Sequence, residues 1–310
     1  RRLLVMNDNV HIVFVLNGLN DSLTNRQIYF ALTLTSYLFT VFVNLTLILT
    51  VCLDQTLHQP MYVFMCNLSF TGICGASSFY LKLLSDLLAD AHVITYTGCL
   101  AQMFISYTYI FCQLSSLTVM AYDRYLAICQ PLRYWALMTS QKVALLLLLT
   151  WCLSSVETAV GLALMARLRL CSHHIPRIFC TNWEVVKLSC SDTSANNLYG
   201  ITLMFLHSMQ VIVILVSYVQ LVRSAARSQE DQKKFAQTCL PHLVSLLVFF
   251  ASLLFDTLYS RYGGSSMPAL QNALAAEFLV VPPIVNPIIY GMNLKQIRSR
   301  IGLRINFRPQ

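Results

Sequence analysis

Asp123 and Arg124 stand side by side at the end of a long apolar run that begins near Cys99, and no other apolar run in the chain closes on such a pair. An acid and a guanidinium at the edge of hydrocarbon are expensive to keep there, so the couple marks a switch or a binding site. Its alternative is an arginine that snorkels to lipid headgroups with Asp123 as a local neighbour. Other residues with chemical capacity are few. Glu157 and Glu277 are lone acids inside apolar runs, where a carboxyl is protonated, paired or in a watery cavity; a hydrogen-bonded structural role is favoured for both. Arg261 closes another run and can serve as an anion anchor, since guanidinium pairs well with carboxylate. Its competing roles are interfacial snorkelling or an ion pair with Asp256 or an outer-loop acid. Cys99 opens the third run and Cys171, Cys180 and Cys190 follow the fourth, and four cysteines allow three pairings into two disulfides. His173 and His174 beside them suggest zinc less strongly than the cysteines suggest disulfides. There is no metal-binding histidine pair and no nucleophile–base motif, so neither catalysis nor a cofactor is expected.

The elements that position these residues are membrane spans. The 310 residues are 56% hydrophobic and 11% charged, more apolar surface than a soluble domain can hide. Seven runs of spanning length lie near Gln27–Leu53, Tyr62–Leu84, Gly98–Cys129, Lys142–Ala166, Asn197–Val222, Ala236–Ser260 and Ala269–Met292. None alternates apolar with polar residues as barrel strands do, so an all-α bundle of seven transmembrane helices is predicted. The expected organisation is a tail over 1–26, the bundle over 27–292, and an amphipathic helix with a tail over 293–310. In that last segment Leu294, Ile297 and Ile301 share one side, and Lys295, Arg298 and Arg300 stay polar.

Twelve of the 21 basic residues fall on one side of the predicted membrane, opposed there by only four acids. That asymmetry puts the N-terminus outside and the C-terminus in the cytoplasm of a multi-pass plasma-membrane protein. The basic balance calls for membrane lipid and a cytoplasmic partner, not nucleic acid. No cleavable signal peptide is visible, and Met6 is a plausible start, with Arg1–Val5 ahead of it. Asn20-Asp21-Ser22 is an outward glycosylation sequon. Asn44-Leu45-Thr46 and Asn67-Leu68-Ser69 lie within spans and are read as interhelical hydrogen bonding. Pro60 suits the opening of a helix. In the third span Tyr107, Ile110, Phe111 and Leu114 share a face, with Ser106 at its edge. In the seventh, Pro282, Pro283 and Pro287 free backbone carbonyls and form a hinge that Asn286 can satisfy.

These pieces together resemble a rhodopsin-like G-protein-coupled receptor, and within it the olfactory (odorant) receptor family, of fish type. The resemblance rests on Asp123-Arg124-Tyr125 and Asn286-Pro287-Ile288-Ile289-Tyr290. It rests more specifically on Leu57-His58-Gln59-Pro60-Met61-Tyr62, Met120-Ala121-Tyr122-Asp123-Arg124-Tyr125-Leu126-Ala127-Ile128-Cys129, Ser217-Tyr218, and Lys234-Phe235-Ala236-Gln237-Thr238-Cys239 with His242-Leu243. It implies disulfides Cys99–Cys180 and Cys171–Cys190. It implies a small odorant bound among spans three, five, six and seven, with Ser106, Tyr107, Ile110, Phe111, Thr202, Leu253, Leu254 and Thr257 around it and Phe250 beneath. Arg261 at the rim resembles the basic group of receptors for water-borne acids, so an anionic ligand is expected. The resemblance further implies that Arg124 leaves Asp123 to meet a stimulatory Gα subunit, that Tyr218 and Tyr290 stabilise the open form, and that cyclic AMP rises. The chain departs from the family pattern at Gly72, where an aspartate is usual, and at Val43, Leu81, Phe250 and Met292. A transporter or channel would want repeat symmetry or polar rings, and an amine receptor an aspartate where Ser106 stands.

Overall fold

The computed structural model describes residues 12–16, 23–225, 240–263 and 268–293. Seven long helices carry the fold: α1 (Leu23–Leu53), α2 (Pro60–Leu88), α3 (Tyr96–Cys129), α4 (Ser140–Ala166), α5 (Ser194–Ala225), α6 (Leu240–Tyr262) and α7 (Pro268–Asn293). Five of them, α1, α3, α4, α5 and α6, are long and apolar enough over described residues to cross a membrane, and α7 contributes the shorter apolar helix Ala276–Ile289. The amphipathic helix expected beyond 293, the sequon at Asn20, and Lys234–Cys239 lie outside the described residues.

The helix starts follow local chemistry. Pro60 is the first residue of α2, where its missing N–H leaves nothing unpaired. Thr95 caps α3 by accepting the Gly98 N–H at 3.1 Å, and Thr139 caps α4 by accepting that of Lys142 at 3.3 Å. Ahead of α5, Asp192 accepts from the Ser194 hydroxyl at 2.6 Å and its N–H at 3.0 Å. Those bonds hold the Asp192 carboxyl below the usual carboxylate range. It therefore stays anionic at a helix N-terminus, where a negative charge is favoured.

At the middle of the bundle is α3: 67% of its most apolar window is buried, against 17–28% for the other four spanning helices. It packs on α2, α4 and α5, while α7 closes the ring against α1, α2 and α6. Leu114 and Leu117 on α3 and Phe249 on α6 are fully enclosed. Gly75 on α2 makes room for the Tyr109 ring, which a Cβ at 75 would overlap. The outward faces carry Leu38, Phe42 and Leu49 on α1, Leu145 and Leu148 on α4, and Phe205 and Val213 on α5, all exposed. Apolar side chains in rows on every outer helix are what hydrocarbon solvates.

Polar residues inside the bundle tie helices together. Asn67 on α2 donates to Ser116 Oγ at 2.9 Å and accepts from Trp151 Nε1 at 2.8 Å, joining α2, α3 and α4. Asn44 on α1 donates to the Pro283 carbonyl at 2.6 Å. Pro287 has no N–H for the carbonyl one turn back, which is that of Pro283. The carbonyl freed by the hinge is thus satisfied by Asn44 and not by Asn286, as the sequence had suggested. Asn286 accepts instead from Ser245 Oγ, joining α7 to α6.

One end of the bundle carries a small sheet that periodicity did not predict. Its order is β2 (Val93–Thr95), β1 (Val13–Leu16), β3 (His174–Ile175), with β1 antiparallel to β2 and parallel to β3. Phe14, Leu16 and Ile175 are buried beneath it against Tyr96 and Met103 of α3.

Candidate functional site

Under the sheet, α3, α4, α5 and α6 enclose a cavity of about 140 Å³, roofed by the segment between α4 and α5. Two disulfides fix that roof. Cys180 is bridged to Cys99 at the start of α3, with Cα atoms 5.6 Å apart, and Cys171 to Cys190 with Cα atoms 5.8 Å apart. Both pairings are those implied by the resemblance. Hydrogen bonds reinforce them: the Cys180 N–H donates to Gln102 Oε1 at 3.0 Å and the Asn182 N–H to the Tyr107 hydroxyl at 3.1 Å.

A buried ion pair anchors the roof to α6. Arg177, 1% exposed, donates to Asp256 Oδ1 at 3.1 Å and to Ser260 Oγ at 2.5 Å, with Glu184 at 3.9 Å. Asp256 is therefore committed to Arg177. The expected alternative, an Asp256–Arg261 pair, does not form.

Arg261 instead lies over the Trp183 ring, its guanidinium carbon 4.1 Å from the ring centroid. Gly200 on α5 lets it lie there, because a Cβ at 200 would overlap the guanidinium. Arg261 Nε and one terminal nitrogen are buried without a hydrogen-bond partner among the described residues. So are Trp183 Nε1, Asn196 Nδ2 and Thr181 Oγ1, and all four side chains line the cavity. The sheet-side end of the cavity is thus rich in donors, and its Arg261 has no carboxylate partner among the described residues. Buried donors without partners are costly, so this end suits an anionic acceptor. Below it the walls are apolar, with Ile110 and Phe111 of α3, Leu203 of α5, and Leu253 and Leu254 of α6.

Of the ten residues expected around a ligand, Tyr107, Ile110, Phe111, Phe250, Leu253, Leu254, Thr257 and Arg261 meet on this cavity. Two do not. Ser106 is buried between helices, its hydroxyl 2.7 Å from that of Ser78. Thr202 is exposed, pointing away from the cavity, and donates to the Leu198 carbonyl at 2.9 Å. The expected contribution of the seventh span is replaced, among the described residues, by α4 through Glu157, Thr158, Gly161, Leu162 and Leu164. Glu157 lines the cavity with His207 Nε2 3.6 Å from its carboxylate, which is the paired alternative among those its sequence left open. Trp183, Asn196 and His207 went unread, though each is a polar residue close to or within an apolar run.

At the opposite end of the bundle, Asp123 is fully buried and Arg124 Nη2 lies 3.2 Å from its Oδ2. The other carboxylate oxygen accepts from the Tyr134 hydroxyl at 2.7 Å. Tyr134 sits in a one-turn helix, Tyr134–Leu137, between α3 and α4. Burial and the neighbouring Asp123 carboxylate push the Tyr134 phenol well above its ordinary range, so it remains the donor. The Arg124 guanidinium also touches Met61 Sδ, at the N-terminus of α2. Tyr125 is half-buried, Tyr218 is buried 2% exposed in the core, and Asn286 and Pro287 are buried on α7. The side chains of His242 and Tyr290 lie outside the described residues.

The family model described as olfactory receptor matches residues 32–306. The chain is similar to an olfactory receptor-like protein of dog (Canis lupus familiaris), 34% identical over 300 residues, covering 96% of each chain. It is also similar to human (Homo sapiens) olfactory receptor 1P1, 34% identical over 294 residues, covering 93% of this chain and 88% of that one. Squid rhodopsin superposes with a TM-score of 0.71 over 90% of this chain and 86% of its own, at 14% identity, a likeness of fold.

Proposed function

The chain belongs to the olfactory receptor family, and on that premise we propose that it binds a small odorant in the cavity between α3, α4, α5 and α6 and activates a stimulatory, olfactory-type heterotrimeric G protein, raising cyclic AMP. It is a receptor with the rhodopsin-like seven-helix fold, not an enzyme. The sheet-bearing end faces the extracellular side of the plasma membrane, an orientation supported by the excess of Lys and Arg toward the other end. The ligand acts by binding more tightly to the signalling-competent form than to the resting one.

The odorant is an acid, or carries an anionic end. The observation that carries this reading is Arg261, which lines the cavity with no carboxylate partner among the described residues and with unpaired donors of Trp183 and Asn196 on the same wall. The apolar walls below suit a hydrocarbon body, as small-ligand pockets usually do. At the opposite end, the Asp123–Arg124–Tyr134 cluster keeps the resting form closed, and release of Arg124 opens the surface that the Gα subunit meets.

The test is a cyclic-AMP assay on cells expressing the chain with an olfactory-type Gα, using a panel of aliphatic carboxylic acids. Arg261→Ala is expected to weaken every active acid by about tenfold or more, the effect of one charge-assisted hydrogen bond. Undiminished potency for every active acid rejects the anchor.

A further inference from the structure

The cavity has a second polar end. His207 stands seven residues beyond Gly200 on α5, about 10.5 Å along the helix axis. It is 5% exposed, lines the same cavity, and stacks on Phe111 with ring centroids 4.8 Å apart.

The directions of the surrounding hydrogen bonds fix where its protons are. Thr118 Oγ1 donates to the Leu114 carbonyl at 2.9 Å and accepts from Gln210 Nε2 at 2.5 Å. The Gln210 amide therefore presents Oε1 to His207 Nδ1, 3.1 Å away. An amide oxygen only accepts, so Nδ1 carries the hydrogen. His207 Nε2 then faces Glu157 Oε2 at 3.6 Å. That separation is too long for a hydrogen bond, and Nε2 has no hydrogen-bond partner among the described residues. Glu157 Oε1 is not engaged by any described residue, and the Glu157 side chain, 22% exposed, lines the cavity. It is an acceptor in an otherwise apolar wall, at the far end from the donors around Arg261. Among the described residues no lysine or arginine pairs with it, and Arg177 is held by Asp256.

We infer that the cavity takes a two-ended ligand, a carboxylate at Arg261 and a protonated amine at Glu157, joined by an unbranched hydrocarbon chain. The inference rests on Arg261 being the anion anchor, and adds the second end. An ammonium is the donor that a carboxylate oxygen holds most strongly. The axial separation, less a hydrogen bond of about 3 Å at each end, leaves at least about 4.5 Å between the ligand's two charges. An α-amino acid, with its nitrogen and carboxyl carbon about 2.5 Å apart, is too short to reach both ends.

Three probes of equal chain length test this in the cyclic-AMP assay, with surface abundance measured for each variant: 6-aminohexanoate, 2-aminohexanoate and hexanoate. The wild-type receptor is expected to respond to 6-aminohexanoate at concentrations about tenfold lower than to either of the others. Glu157→Gln abolishes the advantage of 6-aminohexanoate over hexanoate. Glu157→Asp, which retains the charge on a shorter arm, moves the preference to 7-aminoheptanoate. If Glu157→Gln reaches the surface poorly, this shift of preferred length decides the matter. The inner subsite is overturned if 6-aminohexanoate is no more potent than hexanoate, or if Glu157→Gln and Glu157→Asp leave its advantage intact. The anchor reading fails separately if Arg261→Ala leaves hexanoate potency unchanged, and a receptor silent to all three probes overturns both.

Discussion

Asn44 Nδ2 donates to the carbonyl of Pro283 at 2.6 Å, so α1 supplies the hydrogen bond that Pro287 removes from α7. The same amide nitrogen also bonds the Thr40 carbonyl at 2.8 Å within its own helix. Asn44→Ala is expected to lower stability by about 1–3 kcal/mol, the penalty of a buried carbonyl without a partner. Thermal inactivation of the detergent-solubilised receptor measures it. A variant as stable as the wild type would show that the Pro283 carbonyl finds another donor.

Tyr134→Phe removes the hydroxyl that donates to Asp123. A hydrogen bond to a buried charge is worth about 1.5–3 kcal/mol, so losing it weakens the resting cluster and is expected to raise ligand-free cyclic AMP at least about threefold. Arg124→Ala is the counterpart: it abolishes the cyclic-AMP response while ligand binding persists. Basal signalling unchanged in Tyr134→Phe at equal surface abundance would remove Tyr134 from the switch.

Gly200→Ala places a methyl group where the Arg261 guanidinium lies. The obstructed atoms are the tip of a flexible side chain, so the receptor still folds and the guanidinium moves off Trp183. Potency for carboxylic acids is expected to fall by about tenfold, the scale of one charge-assisted contact. Surface abundance, read by antibody labelling, stays at the wild-type level. Unaltered acid potency would mean that the position of Arg261 against Gly200 is immaterial to binding.

Arg177→Met leaves the Asp256 carboxylate buried beside Glu184 without its cation. Breaking a buried pair this way destabilises by about 3–5 kcal/mol, so little receptor should reach the surface. Combining it with Asp256→Leu removes the stranded charge and is expected to restore most of the surface abundance. If the double variant is as poor as the single one, Arg177 supports the roof by packing and not by charge.

Seven spans were legible because a membrane crossing needs about 20 apolar residues and little else resembles one. The α3 wall of the cavity was legible because Tyr107, Ile110 and Phe111 repeat at helical spacing, and the α6 wall only through the family resemblance. Periodicity failed on α5 and α4, which are apolar on every side, so nothing in the residue pattern fixes their rotation. Thr202 was therefore assigned to the wrong face, and Glu157 was not seen to meet His207. The sheet escaped for a different reason. Its strands are two to four residues long and come from segments about 80 residues apart, too short for an alternating pattern to register. Asn44 and Pro283, 239 residues apart, meet only through the packing of α1 on α7.

The order β2–β1–β3 has a consequence for biogenesis. With the sheet outside, as proposed, the first strand to leave the ribosome is the one in the middle, and it has no edge to join until Val93–Thr95 has emerged and none on its other side until His174–Ile175 has crossed the bilayer. The leading segment waits without a partner while two spans are threaded and with one open edge until four are, so completion of its pairing reports that the roof has been delivered. A reporter fused ahead of residue 12 is tethered to that last-closing strand, so its accessibility to protease in nascent chains of increasing length would time the completion of the extracellular cap.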